Sequence, residues 1–254
     1  MPYGRRGIKR RYSTKRAKSV PARRKRTTYK RRYQGRVQRR VVNLVRSPGT
    51  AIPEQTITRM RYHDHGTLTL FAIEPYICKG TAWLANGLHD PYVSLGGHSA
   101  LGFSQWSNFF LNYVVIGSKL TVNFVPSSGD PGALFFGAYP QGSPGLVETD
   151  VNRIIERRLG RWTKVSVFPG GYKGNGRVSC TYSPGKLFGI TDPADDNQVK
   201  GATNSPTDPP LLGYYFVWAC ASSASANTVL EFDVTIDYTV KLTNPVQLHS
   251  SGGG

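Results

Sequence analysis

The chain has 254 residues, with 33 Lys and Arg against 15 Asp and Glu and a formal net charge of +18. No run approaches the roughly 18 consecutive apolar residues of a membrane-crossing helix, so no membrane insertion is expected. The start lacks the apolar stretch of a secretory signal and no Asn-x-Ser/Thr sequon occurs. The three widely spaced cysteines, Cys78, Cys180 and Cys220, fit reduced, partly buried thiols and neither a disulfide framework nor a zinc knuckle.

The charge sits at one end. Residues 1–46 carry 19 Lys and Arg and no acid, the first acid being Glu54; residues 47–254 carry 14 bases and 15 acids. The arm is therefore +19 and the body −1. Apolar residues are sparse in the arm and like charges repel, so burial cannot offset the entropy of ordering; an extended, disordered coil is expected. Its natural ligand is a polyanion, bound through phosphates with little regard to sequence. The candidate nucleic-acid-binding residues are Arg5, Arg6, Lys9, Arg10, Arg11, Lys15, Arg16, Lys18, Arg23, Arg24, Lys25, Arg26, Lys30, Arg31, Arg32, Arg36, Arg39 and Arg40. Arg outnumbers Lys among them, which favours planar, bidentate phosphate contacts. Tyr3, Tyr12, Tyr29 and Tyr33 are interleaved with these charges and suit stacking on unpaired bases. The clusters Arg23-Arg24-Lys25-Arg26 and Lys30-Arg31-Arg32 also have the form of a nuclear localisation signal. The plainer alternative is a solvated basic terminus that serves localisation only.

The body, 47–248, reads as all β, with a flexible tail at 249–254. "GTLTLFAI" (66–73) places Leu68 and Leu70 on one face. "NYVVIGSKLTVNFVP" (112–126) is a strand pair or one bent strand, and "ALFFGAY" (133–139) follows the turn "PSSGDPG". "ETDVNRIIERR" (148–158) alone has helical spacing, with Val151, Ile154 and Ile155 on one side and Thr149 or Asp150 as cap. "RWTKVSVF" (161–168), "RVSCTYS" (177–183) and "KLFGI" (186–190) read as strands. "GYYFVWACASS" (213–223) is nearly all apolar, as in a strand buried on both faces. "TVLEFDVTIDYTVKL" (228–242) alternates over its whole length. About eight strands with frequent turn signals indicate a β-sandwich. The long segments 74–107 and 191–212 read as loops, and their length suggests interaction surfaces.

No catalytic pattern emerges. "GHSALG" (97–102) misses the nucleophile-elbow spacing by one residue at Ser99, and "GGYKGNG" (170–176) fits no phosphate-loop pattern. His63 and His65 share a face if "YHDH" is a strand, but no third metal ligand is evident nearby, and "DPADD" (192–196) reads as a solvated turn. Neither enzyme activity, a cofactor nor a metal is expected. Aromatic clusters such as "QWSNFF" (105–110) and "GTAWL" (80–84) suit protein–protein interfaces, with core packing an equal explanation for Phe109 and Phe110.

A resemblance runs along the chain in order. "FFLNYVVIGSKLTVNFVPSS" (109–128) resembles the long second strand of circovirus-type capsid proteins, in which an aromatic stretch passes into alternating residues and an aromatic-x-Pro-x-Ser turn. "LEFDVTIDYTVKLTNP" (230–245) resembles their closing strand, "GYYFVWACAS" stands where the penultimate strand belongs, and "MPYGRRGIKRRYSTKR" is similar to their starts. The loop sequences depart from those of true circoviruses, so the resemblance is to the broad group of small, circular, single-stranded DNA viruses. It implies a single eight-stranded jelly roll in two four-stranded sheets. It further implies an icosahedral shell of sixty copies (T=1), the arm inside on a single-stranded DNA genome, host nuclear import machinery as a partner, and residence in the virion and host nucleus.

Three other readings compete. The coat protein of a small RNA virus would share fold and arm, since phosphates are common to both cargoes. A cellular nucleic-acid-binding module such as a ribosomal protein would carry positive charge on its body too. An enzyme of sandwich or cupin fold would need His and Glu clustered on adjacent strands.

Overall fold

The computed structural model describes residues 52–71, 76–94, 96–128, 133–145, 149–166, 175–204, 207–222 and 227–247. The strands are β1 (Gln55–Leu70), β2 (Lys79–Leu84), β3 (Phe110–Ser128), β4 (Ala133–Gln141), β5 (Arg161–Ser166), β6 (Gly176–Tyr182), β7 (Lys200–Ala202), β8 (Tyr214–Ala221) and β9 (Thr228–Pro245). The helices are single turns: α1 (Phe103–Trp106), α2 (Val151–Ile155) and α3 (Pro184–Phe188).

Every strand pairing is antiparallel. The first sheet runs β1-β9-β3-β6 and the second β2-β8-β4-β5, while short β7 pairs with the start of β3. With β7 set aside, the first four strands pair with the last four in reverse order: β1 with β9, β2 with β8, β3 with β6, β4 with β5. The chain is thus a long antiparallel ribbon folded at the β4–β5 connection, with successive pairs falling alternately into the two sheets. That wrapping is the jelly roll. β7 makes the first sheet five-stranded, one more than expected.

The closing strand shows why the ribbon folds with its sheets face to face. Leu230, Phe232, Val234, Ile236, Tyr238, Val240 and Leu242 are all buried, and the residues between them face outward. They meet Tyr113, Leu120, Val122 and Phe124 of β3 and Tyr215, Val217 and Ala219 of β8 in one core between the sheets. Burying each large apolar side chain there contributes about 1.5–3 kcal/mol. β8 is buried on its other face as well. Phe216, Trp218 and Cys220 point away from the main core and pack with Tyr139, Val151 and Ile154 in a second cluster. Helix α2 covers that face, started by Asp150, whose carboxylate accepts the Asn152 N–H at 2.8 Å.

Some expectations hold and others change. β3 is one bent strand, with a register irregularity between Val115 and Gly117 opposite β9. β1 begins at Gln55, eleven residues before the expected start, and ends at Leu70. "KLFGI" is no strand: Ser183-Pro184 opens α3 with Pro in the first turn, and Gly189 closes it at φ 77°, a left-handed conformation that glycine adopts without penalty. "GTAWL" is strand β2, with Trp83 fully buried, and "loop" 191–212 contains β7. In "QWSNFF", Phe110 is core and Phe109 is 45 % exposed. All three cysteines are buried and unbridged. Burial pushes the Cys180 thiol up to about 12.

Candidate nucleic-acid interface

The arm cations, from Arg5 to Arg40, lie outside the described residues, as do the two nuclear-signal clusters and the C-terminal tail. Most of "GGYKGNG" does too. The remaining candidates fall on the jelly roll. His63 and His65 share the outward face of β1, as their spacing implies. His63 Nδ1 lies 3.2 Å from Thr235 Oγ1 on β9, and the His63 carbonyl is 3.0 Å from His98 Nε2. No group of three His, Cys, Asp or Glu among the described residues is placed to hold a metal ion. Ser99 lies in the segment between β2 and α1, where its carbonyl contacts His98 Nδ1 at 2.9 Å. In "DPADD", Asp192 and Asp196 are spent on local turns, accepting the N–H of Ala194 and Gln198 at 2.9 and 2.8 Å.

The sheet register assembles something that chain order does not suggest. On the outward face of the first sheet, Arg61 of β1 stands opposite Asp237 of β9, and Asp237 stands opposite Lys119 of β3. Arg61 Nε donates to Asp237 Oδ1 at 2.7 Å, which raises the guanidinium pKa through the hydrogen bond and the carboxylate charge. Arg59 lies one pleat away on the same face, and α3, directly after β6, brings Lys186 to the far side. These side chains line an open trough of about 810 Å³, floored by Gly117, Thr181 and Thr239. Four cations stand there against one carboxylate, and that carboxylate is already held by Arg61. Arg59, Lys119 and Lys186 have no ion-pair partner among the described residues.

Toward the opposite end of the same face the acids gather, with Arg177 of β6 the cation at their level. Glu231 and Asp233 line a hollow of about 280 Å³ with His65 and Val125. A body of −1 overall is therefore polarised along one sheet, the cations gathering toward the end where β1 begins. Summed along the sequence, the body looks neutral and this polarity is hidden. The one visible signal is the alternating pair Arg59 and Arg61; Lys119 and Lys186 join them only once the register is known.

Beneath the trough, a polar relay ties the two sheets together. Ser118 Oγ donates to the Ala85 carbonyl at 2.6 Å, so the Tyr215 hydroxyl, 2.9 Å away, must donate to Ser118. Tyr215 in turn accepts the Tyr182 N–H at 2.9 Å. The Tyr238 hydroxyl donates to the Leu84 carbonyl at 2.7 Å. Burial raises the pKa of both phenols well above the usual 10. The floor of the trough is thus held rigidly from below.

No protein-family model matches the sequence, and no curated protein matches it. Among solved structures, the chain is similar to the Macrobrachium rosenbergii nodavirus semi-empty virus-like particle at 14% identity and a TM-score of 0.42, over 77% of this chain and 97% of that one. It is similar to Mud crab tombus-like virus at 11% identity and a TM-score of 0.43, over 81% and 89%. It is also similar to the 60-mer BFDV capsid protein at 8% identity and a TM-score of 0.44, over 79% and 100%. The jelly-roll topology stands on this chain's own strand order.

Proposed function

We propose that this is a viral coat protein, whose jelly-roll body assembles into an icosahedral shell and whose arm, residues 1–46, packages a single-stranded DNA genome. The observation that carries the reading is the segregation of charge: +19 on the arm and −1 on a body whose core is complete in itself. A body without net charge lets copies pack side by side, while the arm neutralises phosphate without reading sequence. The resemblance to circovirus-type capsids along 109–128, 213–222 and 230–245 supports DNA as the cargo and sixty as the copy number. The clusters at 23–26 and 30–32 support passage through the nuclear import machinery. No catalytic role is part of the reading.

The test is to purify the full chain, image it by electron microscopy, and type its nucleic acid with DNase and RNase. Uniform closed shells holding DNase-sensitive material are expected. Shells holding only RNA would move the chain to an RNA-virus coat protein. A monomer that retains no nucleic acid at low salt would overturn the reading.

A further inference from the structure

We propose that the trough on the outward face of the first sheet is a second contact for single-stranded nucleic acid, made by the body itself through the phosphates. The inference deepens the packaging reading and rests on it. Three observations carry it.

The first is unspent charge. Arg61 is committed to Asp237, but Arg59, Lys119 and Lys186 face the trough with no ion-pair partner among the described residues. Cations held close together by a rigid sheet repel one another, and an anion relieves that repulsion. A flexible surface would let them spread apart; here the paired strands fix the backbone at Arg59 and Lys119, and α3, directly after β6, fixes it at Lys186.

The second is shape. From β1 to β6 the trough spans three strand spacings, about 14 Å, enough for one extended polynucleotide but short of a duplex with its grooves. It is open along its length rather than closed around a small molecule, and Thr181 and Thr239 add hydroxyls to its floor. A charged groove that tracks a backbone is how single strands are bound without sequence preference.

The third is what the floor lacks. A protein partner anchors through aromatic or aliphatic side chains seated in pockets. The aromatic residues bordering this trough, Tyr182 and Tyr238, are turned into the core and almost wholly buried; apart from Leu101, 80 % exposed at the β1 edge, the exposed lining is charged or hydroxyl-bearing.

The test uses the full chain and oligothymidylate. Lysine acetylation is followed by mass spectrometry with and without the oligonucleotide, Lys164 on the second sheet serving as the internal control. Lys119 and Lys186 should be protected severalfold while Lys164 is unchanged. In parallel, the triple variant Arg59→Gln, Lys119→Gln, Lys186→Gln, with its β circular dichroism checked, should show a shallower salt dependence. Each neutralised phosphate on a single strand contributes about 0.7 to the slope of log affinity against log salt, so removing three cations should lower that slope by about 2. If wild-type protein binds the oligonucleotide but both lysines stay reactive and the slope is unchanged, the trough does not touch the strand and the arm alone packages. Failure of the wild-type chain to bind at all overturns the packaging reading and this inference with it. Protection of Lys119 and Lys186 in nuclease-treated, nucleic-acid-free shells would make the trough a subunit interface and overturn the inference alone.

Discussion

The indole of Trp218 fills the space that a side chain at Gly137 would need. A Cβ at Gly137 would lie 2.7 Å from Trp218 Cζ2 and 2.5 Å from the Arg161 carbonyl oxygen. The pair belongs to a row across the second sheet, Gly80, Trp218, Gly137 and Trp162, in which glycine and tryptophan alternate strand by strand. Gly80 is filled from above by Phe216 in the same way, with Cε1 at 2.5 Å. Phe216 and Trp218 lie over these small neighbours and pack with Val151 and Ile154 of α2, while Trp162 at the end of the row is 45 % exposed.

Gly137→Ala should therefore destabilise the body by about 1–3 kcal/mol through overpacking, because the nearer obstacle is backbone and cannot rotate away. Urea unfolding followed by tryptophan fluorescence reads this directly. A variant as stable as the parent would mean that the second sheet is more loosely built than described.

Tyr215→Phe probes the relay between the sheets. It leaves the buried Tyr182 N–H without its acceptor, at a cost of about 1–3 kcal/mol. Ser118→Ala removes the partner of both Tyr215 and the Ala85 carbonyl and should cost a similar amount. Because the two side chains share one network, the double variant should lose less than the sum. Additive losses in chemical unfolding would refute the relay.

The pattern that makes a strand legible is apolar–polar alternation, and β9 has it at nearly every position. β1 has the same outward rhythm in Arg59, Arg61, His63 and His65 but hides it on the inward side. There Thr56, Thr58, Asp64 and Gly66 interleave with Met60 and Tyr62. Asp64 is tolerated at that position because it accepts the Trp83 indole N–H at 3.1 Å, a partner nineteen residues away that composition does not reveal. α3 is legible in principle from Pro184 and Gly189, but its apolar residues read more readily as a strand. Of the trough, only the alternating pair Arg59 and Arg61 is legible. Residues 59, 119 and 186 lie far apart in the chain, and only the β1–β9–β3–β6 register makes them neighbours.

Alkali should unfold the body in a second step. Burial raises Tyr113, Tyr182, Tyr215 and Tyr238 above the ordinary tyrosine value, and Asp208 raises Tyr113 further. The folded state then keeps protons that the unfolded state releases near pH 10, so their contribution is complete below about pH 10 and is lost as pH rises beyond it. Phenolate absorbance and far-ultraviolet circular dichroism should show exposed tyrosines titrating first with the fold intact. The buried ones should follow together with loss of β signal. A single wave near pH 10 with unchanged β signal would refute the burial of these phenols.

Charge matching sets the size of the cargo. In the proposed shell of sixty copies, the arms, each with 19 cations, would neutralise roughly 1,100 phosphates at one cation apiece. Small ions and polyamines extend that figure, so the packaged strand should measure between about one and two thousand nucleotides. Because phosphate contacts release counterions, high salt should loosen the nucleic acid before apolar contacts between bodies give way. Particles titrated with salt should become nuclease-sensitive while still whole by light scattering. A strand many times longer than this range would require a larger shell or a source of charge other than the arm. Nucleic acid held unchanged in molar salt would put base stacking or sequence-specific contacts ahead of charge, and the interleaved tyrosines rather than the arginines would then be the main tether.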